Sequence, residues 1–245
     1  MEITCPIITK NSSLGDQDYL AGVAVLIDKP KNWTSFDVVA KLRNTVGKKL
    51  GIKKLKVGHA GTLDPLATGL LILCIGKATK QIEAFQGLPK CYLADMKLGA
   101  HTKTYDAEAQ EEDIQAVDHI TESIIENQIA TFRGEILQTP PIYSAIKVKG
   151  KALYKYARKG EEVAIKSRTV VIHDYTLKSY NAPQMQCEIS CSKGTYIRSL
   201  AHDLGQQLGV GAYLSDLRRT AIGAYSIDDA LFLPSFIERL LDEEV

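Results

Sequence analysis

The chain contains no run of eighteen apolar residues, so nothing in it reads as a membrane-spanning helix. Residues 1–22 are acidic and polar without a continuous apolar segment, which excludes a secretory signal peptide. The five cysteines, at 5, 74, 91, 187 and 191, form no CxxC pair. Cys187 and Cys191 would share one face of a strand, but two thiols do not make a zinc site. Reduced cysteines, and hence a cytoplasmic protein, are expected. The five histidines (59, 101, 119, 173 and 202) are dispersed, which also argues against zinc. A Walker loop, a dinucleotide fingerprint, internal repeats and low-complexity runs are all missing. Net charge is nearly absent too: 30 Lys and Arg against 29 Asp and Glu leave +1, no global hint of a nucleic-acid partner.

With 245 residues, 45% apolar and 24% charged, the chain has ordinary globular composition and length enough for one large domain or two small ones. The neutral total hides local blocks. Lys48, Lys49, Lys53, Lys54 and Lys56 form one. Lys147, Lys149, Lys151, Lys155, Arg158 and Lys159 form a second, interleaved with Tyr143, Tyr154 and Tyr156. Acidic residues concentrate at 106–126 and 228–244. Such blocks either grip phosphates on one face or are simply solvated surface. Aromatic interleaving favours RNA.

Residues 56–69, KVGHAGTLDPLATG, hold three glycines and a proline, which rule out a regular helix or central strand. They run into an apolar segment, 70–75, that reads as a buried strand. A glycine-rich loop pinned to a core strand presents side chains rigidly, and His59, Thr62 and Asp64 are its candidate actors. Asp64 is the only carboxylate between Asp37 and Glu83. The bland alternative is an Asp-Pro turn whose glycines serve geometry alone.

The remaining chain alternates between strand and helix patterns. Residues 23–27 read as a strand. Thr34, with Asp37 three residues on, opens a helix along Phe36, Val39, Leu42 and Val46, which Gly47 stops. Residues 77–85 read as a short helix and 90–98 as a half-buried strand with Tyr92, Ala94, Met96 and Leu98 on its apolar face. A polar loop follows at 101–109. An amphipathic helix spans 121–132, with Ile124, Ile125, Gln128, Ile129 and Phe132 on one stripe. Segments 169–179 and 184–192 form a hairpin. A helix starts near Tyr196, buries Ile197, Leu200, Ala201, Leu204 and Leu208, and ends at Gly209; a last helix covers 234–241. Arg198 lies off that stripe in the first turn, where a cation opposes the helix dipole and calls for a carboxylate partner. Asp203, at i+5, cannot face it.

The 56–69 stretch resembles the signature loop of the bacterial tRNA pseudouridine-55 synthases, the TruB-type family. Further matches follow in family order: Asp28-Lys29-Pro30, Lys90-Cys91-Tyr92, Leu98-Gly99, residues 138–145 (QTPPIYSA) with Lys147, residues 193–198 (KGTYIR), and Leu217-Arg218-Arg219. Together they span about residues 22–223. The resemblance implies an α+β fold, a mixed, largely antiparallel sheet flanked by helices. It implies an N-terminal extension at 1–21, loosely ordered, then one catalytic domain at 22–245 with an RNA-clamping insertion within 113–165. Many relatives continue into a C-terminal PUA-type domain; this sequence stops before it.

The implied activity is isomerisation of uridine 55 in the T-arm of tRNA, the base being flipped out of its stack. The resemblance makes Asp64 the catalytic carboxylate, Arg198 its cationic partner, and Tyr92 a ring stacked on the target base. It places His59 and Thr62 at the RNA, where His59 would fill the gap left by the flipped base. Asp106 belongs to a T-x-T-x-D-A turn near the substrate, Tyr196 and Leu200 line the base pocket, and Lys147 lies in the clamping region. Lys29 belongs to a structural lysine-proline motif near the active site and is counted with the RNA-binding residues, but takes no chemical step. From the residues alone, Tyr92 reads as core and His59 as structural; the resemblance reverses both. The chemistry needs no cofactor or metal, and the protein is expected to act as a monomer on tRNA without an obligatory protein partner or a membrane. Two competing readings are an RNA chaperone with an incidental pocket and a guide-RNA-dependent relative. A glycoside hydrolase would need two nearby carboxylates, and the loop offers one.

Overall fold

The computed structural model describes residues 2–242; Met1 and the last three residues of the expected 22–245 domain lie outside the described residues. The chain divides into two compact units, Met1–Tyr92 with Arg218–Val245, and Leu93–Leu217. The boundaries fall inside two strands.

The first unit opens with β1 (Ile7–Ile8) and β2 (Val23–Lys29), paired in parallel. The expected loose extension is instead packed. Ile8, Leu14 and Tyr19 belong to the core, and the Tyr19 hydroxyl donates to the Leu14 carbonyl at 2.8 Å. The polar residues around these three anchors conceal them, because they follow neither helical nor strand spacing. Helix α1 (Ser35–Lys49) starts where Thr34 and Asp37 form a complete reciprocal capping box. Its buried side is Val38, Val39, Leu42 and Val46, while Phe36 is exposed. Gly47 does not stop it. The residue is small because the chain folds back, and a Cβ there would lie 2.9 Å from the Ile52 carbonyl oxygen.

Strand β3 (Val57–His59) and strand β4 (Thr68–Ile75) enclose the signature loop and pair antiparallel. β4 also pairs antiparallel with β2, Val23 opposite Ile75 through Lys29 opposite Gly69. A 3-10 turn (Gly76–Gln81) leads into α2 (Ile82–Gly87) and then β5 (Lys90–Leu98). In β5 burial alternates from Lys90 through Tyr92, Ala94, Met96 and Leu98, as its apolar pattern demands.

The second unit carries the small ladder β6 (His101–Thr102) with β7 (Glu111–Glu112), helix α3 (Glu122–Ala130), β8 (Gly134–Gln138), the hairpin β9 (Lys147–Val148) with β10 (Lys151–Ala152), and α4 (Leu153–Ala157). Strands β11 (Arg168–Asn181) and β12 (Gln184–Cys191) form the expected hairpin, and β8 pairs antiparallel with β11. Cys187 and Cys191 lie on the buried face of β12. α3 buries Ile125 and Ile129 but leaves Ile124 exposed. Helix α5 (Ile197–Leu208) ends on Gly209 in the left-handed conformation, as its sequence predicts.

Strand β13 (Ala212–Ile222) returns the chain to the first unit, where Arg218 and Arg219 pair in parallel with Thr68 and Gly69 of β4. β14 (Tyr225–Ser226), β15 (Leu231–Phe232) and α6 (Leu233–Asp242) complete the chain, with Phe236 and Leu240 in the first unit's core. The pairings make a mixed, mostly antiparallel sheet with helices, the architecture expected. No helix of the described residues is long and apolar enough to cross a membrane.

Candidate active site

The loop between β3 and β4 is fixed from three directions, all within the first unit. Ser35 Oγ accepts from the Leu63 amide at 2.8 Å, the Asn32 amide donates to the Pro65 carbonyl at 2.8 Å, and the Ala67 amide to the Asp64 carbonyl at 3.1 Å. Arg219, 1% exposed, closes the third side. Its Nε donates to the Leu70 carbonyl at 2.7 Å, Nη2 to Gly61 at 3.2 Å and Nη1 to Thr62 at 3.4 Å. A guanidinium suits this work because its donors form a planar fork with permanent charge. Gly69 permits the approach: at φ +103°, a Cβ would lie 2.3 Å from the Arg219 carbonyl oxygen.

This frame leaves Thr62 exposed and Asp64 half-buried. Lys29 is fully buried and donates to the carbonyls of Pro30 (2.9 Å) and Trp33 (2.6 Å). Burial lowers its ammonium to about 8; the nearby Asp64 carboxylate works in the opposite direction, and the Arg219 cation reinforces the fall. Lys29 and Asp64 are thus electrostatic neighbours, and Lys29 has no surface to offer RNA. His59 sits at the end of β3, its Nδ1 buried without a hydrogen bond. Burial pushes its imidazole below the ordinary range, with the Arg219 charge contributing. Tyr92 lies on the buried face of β5.

The other expected site residues belong to the second unit. Arg198 is buried in the first turn of α5 and meets Asp106 at 3.4 Å, both side chains nearly inaccessible (6% and 2% exposed). Its Nη1 donates to the Thr104 carbonyl at 3.0 Å and Nη2 to the Tyr143 carbonyl at 2.9 Å. Asp106, expected at the RNA, is therefore sealed against a guanidinium. Thr104 Oγ1 donates to its carboxylate at 2.5 Å and the Glu108 amide at 3.1 Å. Tyr196 caps α5. Its backbone is clamped by the fully buried Gln138, whose Oε1 accepts from the Tyr196 amide at 2.8 Å while Nε2 donates to the Tyr196 carbonyl at 3.0 Å. The Arg168 guanidinium lies 5.0 Å over the Tyr196 ring. Leu200, expected to line a pocket, is fully buried, and Lys147 is exposed on β9.

The structure thus brings Lys29, Thr62, His59 and Asp64 into one loop neighbourhood, and Asp106, Arg198 and Tyr196 into one around the start of α5. The sequence marks Arg219 and Gln138 only as members of family motifs, with no role for either, and gives no sign of Ser35 or of the turn carbonyls that aim Arg198. Arg219 reaches partners about 150 positions away in the chain, so no local pattern could announce it. The one available clue was its place in Leu217-Arg218-Arg219, which names the residue without its partners.

With this geometry in hand, comparison with known proteins places it. The family model described as "TruB family pseudouridylate synthase (N terminal domain)" matches residues 48–197, and the "tRNA pseudouridylate synthase B C-terminal domain" matches 198–243. A tRNA pseudouridine synthase B of Phocaeicola vulgatus is 47% identical over 93% of this chain and 97% of its own length. That of Flavobacterium johnsoniae is 46% identical over 91% and 98%. Among solved structures, a Cbf5-Nop10-Gar1 complex aligns with a TM-score of 0.68 at 26% identity over 97% of this chain. An H/ACA RNP bound to a substrate RNA containing 2'-deoxyuridine aligns at 0.65 and 27% over 90%. The chain spans 64% and 54% of those two matched chains.

Proposed function

The chain belongs to the TruB family of pseudouridylate synthases, and from that premise we propose that it is a tRNA pseudouridine synthase acting on uridine 55 of the T-arm. The family match over 150 residues of the signature loop and its surroundings carries this reading. The firm anchoring of the Asp64 loop supports it. Isomerisation breaks the N1–C1′ bond, rotates the uracil, joins C5 to C1′, moves the C5 proton off the ring and returns a proton to N1. No atom is gained or lost.

In this reading Asp64 supplies the ionised carboxylate, attacking C1′ or taking the C2′ proton. Arg198 is the permanent cation that offsets the desolvation of that carboxylate once RNA closes over it. Asp106 aims Arg198. Tyr92 stacks on the base and receives the C5 proton, directly or through water. The target uridine must leave its stack at a cost of a few kcal/mol, and His59, with Thr62 beside it, occupies the space vacated. Tyr196 lines the base pocket, with Leu200 behind it. Lys147 and the rest of the 113–165 region clamp the stem-loop. The protein works in the cytoplasm as a monomer, without a protein partner.

The test is purified protein on an unmodified tRNA transcript, with the position of pseudouridine mapped afterwards. One pseudouridine at the T-arm position is expected. Asp64→Asn should still bind the T-arm stem-loop yet release no C5 tritium from it. Turnover by that variant, or modification elsewhere alone, would overturn the assignment.

A further inference from the structure

Helix α5 grips the 104–106 turn at two points one helical turn apart. At the first, Arg198 meets the Thr104 carbonyl and the Asp106 carboxylate. Four residues on, and so on the same helix face, His202 lays its ring flat against Tyr105, with centroids 3.8 Å apart and planes within 8°. Tyr105 lies between the two groups that Arg198 holds, at φ +63°, a left-handed conformation that a bulky residue rarely adopts unaided. Its carbonyl accepts from the Leu214 amide at 3.0 Å, so backbone and ring are both fastened. His202 Nδ1 is buried without a hydrogen bond. What the histidine contributes is therefore its face. Burial, helped by His101, holds the imidazole below its ordinary range, so a neutral ring stands near the guanidinium.

We infer that the Tyr105–His202 ring pair is a positioning device for Arg198, fixing the turn whose Thr104 carbonyl and Asp106 carboxylate aim the guanidinium. The inference rests on the reading of Arg198 as part of the reaction. It adds two residues to that reaction that touch neither substrate nor reacting atoms. A stacked ring pair contributes modestly to global stability, but small displacements of a charged group in a site are expensive in rate.

The experiment measures single-turnover rate constants at saturating enzyme on an unmodified tRNA transcript, with T-arm affinity and thermal unfolding followed in parallel. His202→Ala and Tyr105→Leu should each slow the step about tenfold while T-arm affinity stays at the wild-type value. The double variant should be no slower than the worse single, because both remove the same contact. His202→Phe should restore the rate, since it keeps the face and loses no hydrogen bond. A His202→Ala rate within about twofold of wild type, multiplicative losses in the double variant, or His202→Phe as slow as the alanine, would each overturn the inference. If His202→Ala does not fold, Tyr105→Leu against His202→Phe makes the same comparison. A wild-type chain that leaves the transcript unmodified overturns the reading of Arg198 itself, and needs no variant to detect.

Discussion

Asp203 is a carboxylate half-sunk in α5, one residue beyond His202 and within electrostatic reach of Tyr105. Burial alone raises it to about 6 from an ordinary 3.8. Between those values the folded state binds more protons than the unfolded chain, so stability falls as pH rises through that window. Above about 6 the whole cost is present; below about 4 it vanishes. Asp203→Asn should therefore stabilise the fold at pH 7 by about 2 kcal/mol after allowance for partial exposure, seen as a higher urea midpoint, and match wild type near pH 3. Equal midpoints at both pH values would refute the burial cost. Helical spacing alone excludes Asp203 as a partner for Arg198. The ion pair of Arg198 goes to Asp106 instead. That partner was not legible: 92 positions separate the two residues, and the sequence gives a turn aspartate no mark that it is buried. Asp64, by contrast, stood out because a rare loop pattern surrounds it.

Elements were easier to read than their ends. The start of α1 was visible because Thr34 and Asp37 satisfy each other's backbone amides, at 2.9 and 3.0 Å, a local interaction written in local sequence. Thr34→Ala should cost about 1 kcal/mol in chemical denaturation. β5 was visible because burial on one face forces alternation. Gly47 misled because a glycine near a helix end can mark a stop or a close approach, and only the fold distinguishes them. Gly205 makes the same point inside α5. Local propensity favours alanine there by about 1 kcal/mol. Yet a Cβ would sit 2.0 Å from the Ala212 amide nitrogen and 2.3 Å from the Gly211 carbonyl carbon, both backbone. Gly205→Ala should thus destabilise by roughly 3 kcal/mol, overpacking outweighing propensity. An unchanged or raised urea midpoint would show that the returning chain can give way.

Over the whole molecule the charges nearly cancel, yet the structure shows which cations are free to meet a polyanion. Lys53, Lys54 and Lys56 are exposed around the buried Leu55, which anchors the segment leading into the Asp64 loop. In the second block Lys147, Lys149 and Lys155 are exposed, whereas Lys151 is committed inward: it lies 4.0 Å over the Tyr156 ring and 2.7 Å from Glu161. Composition counts these lysines alike; binding should not. Each phosphate contact releases condensed counterions, so removing a true contact lowers both affinity and its dependence on salt. Replacing Lys53, Lys54 and Lys56 by alanine should weaken T-arm tRNA binding and flatten the slope of log K against log salt by about 2. Lys151→Ala should leave that slope nearly unchanged and instead loosen α4, since its charge is already neutralised by Glu161. Filter binding from about 50 to 200 mM salt separates the two outcomes. A slope unaffected by the triple change would place the RNA away from this approach to the loop, and with it the route by which a uridine would reach Asp64.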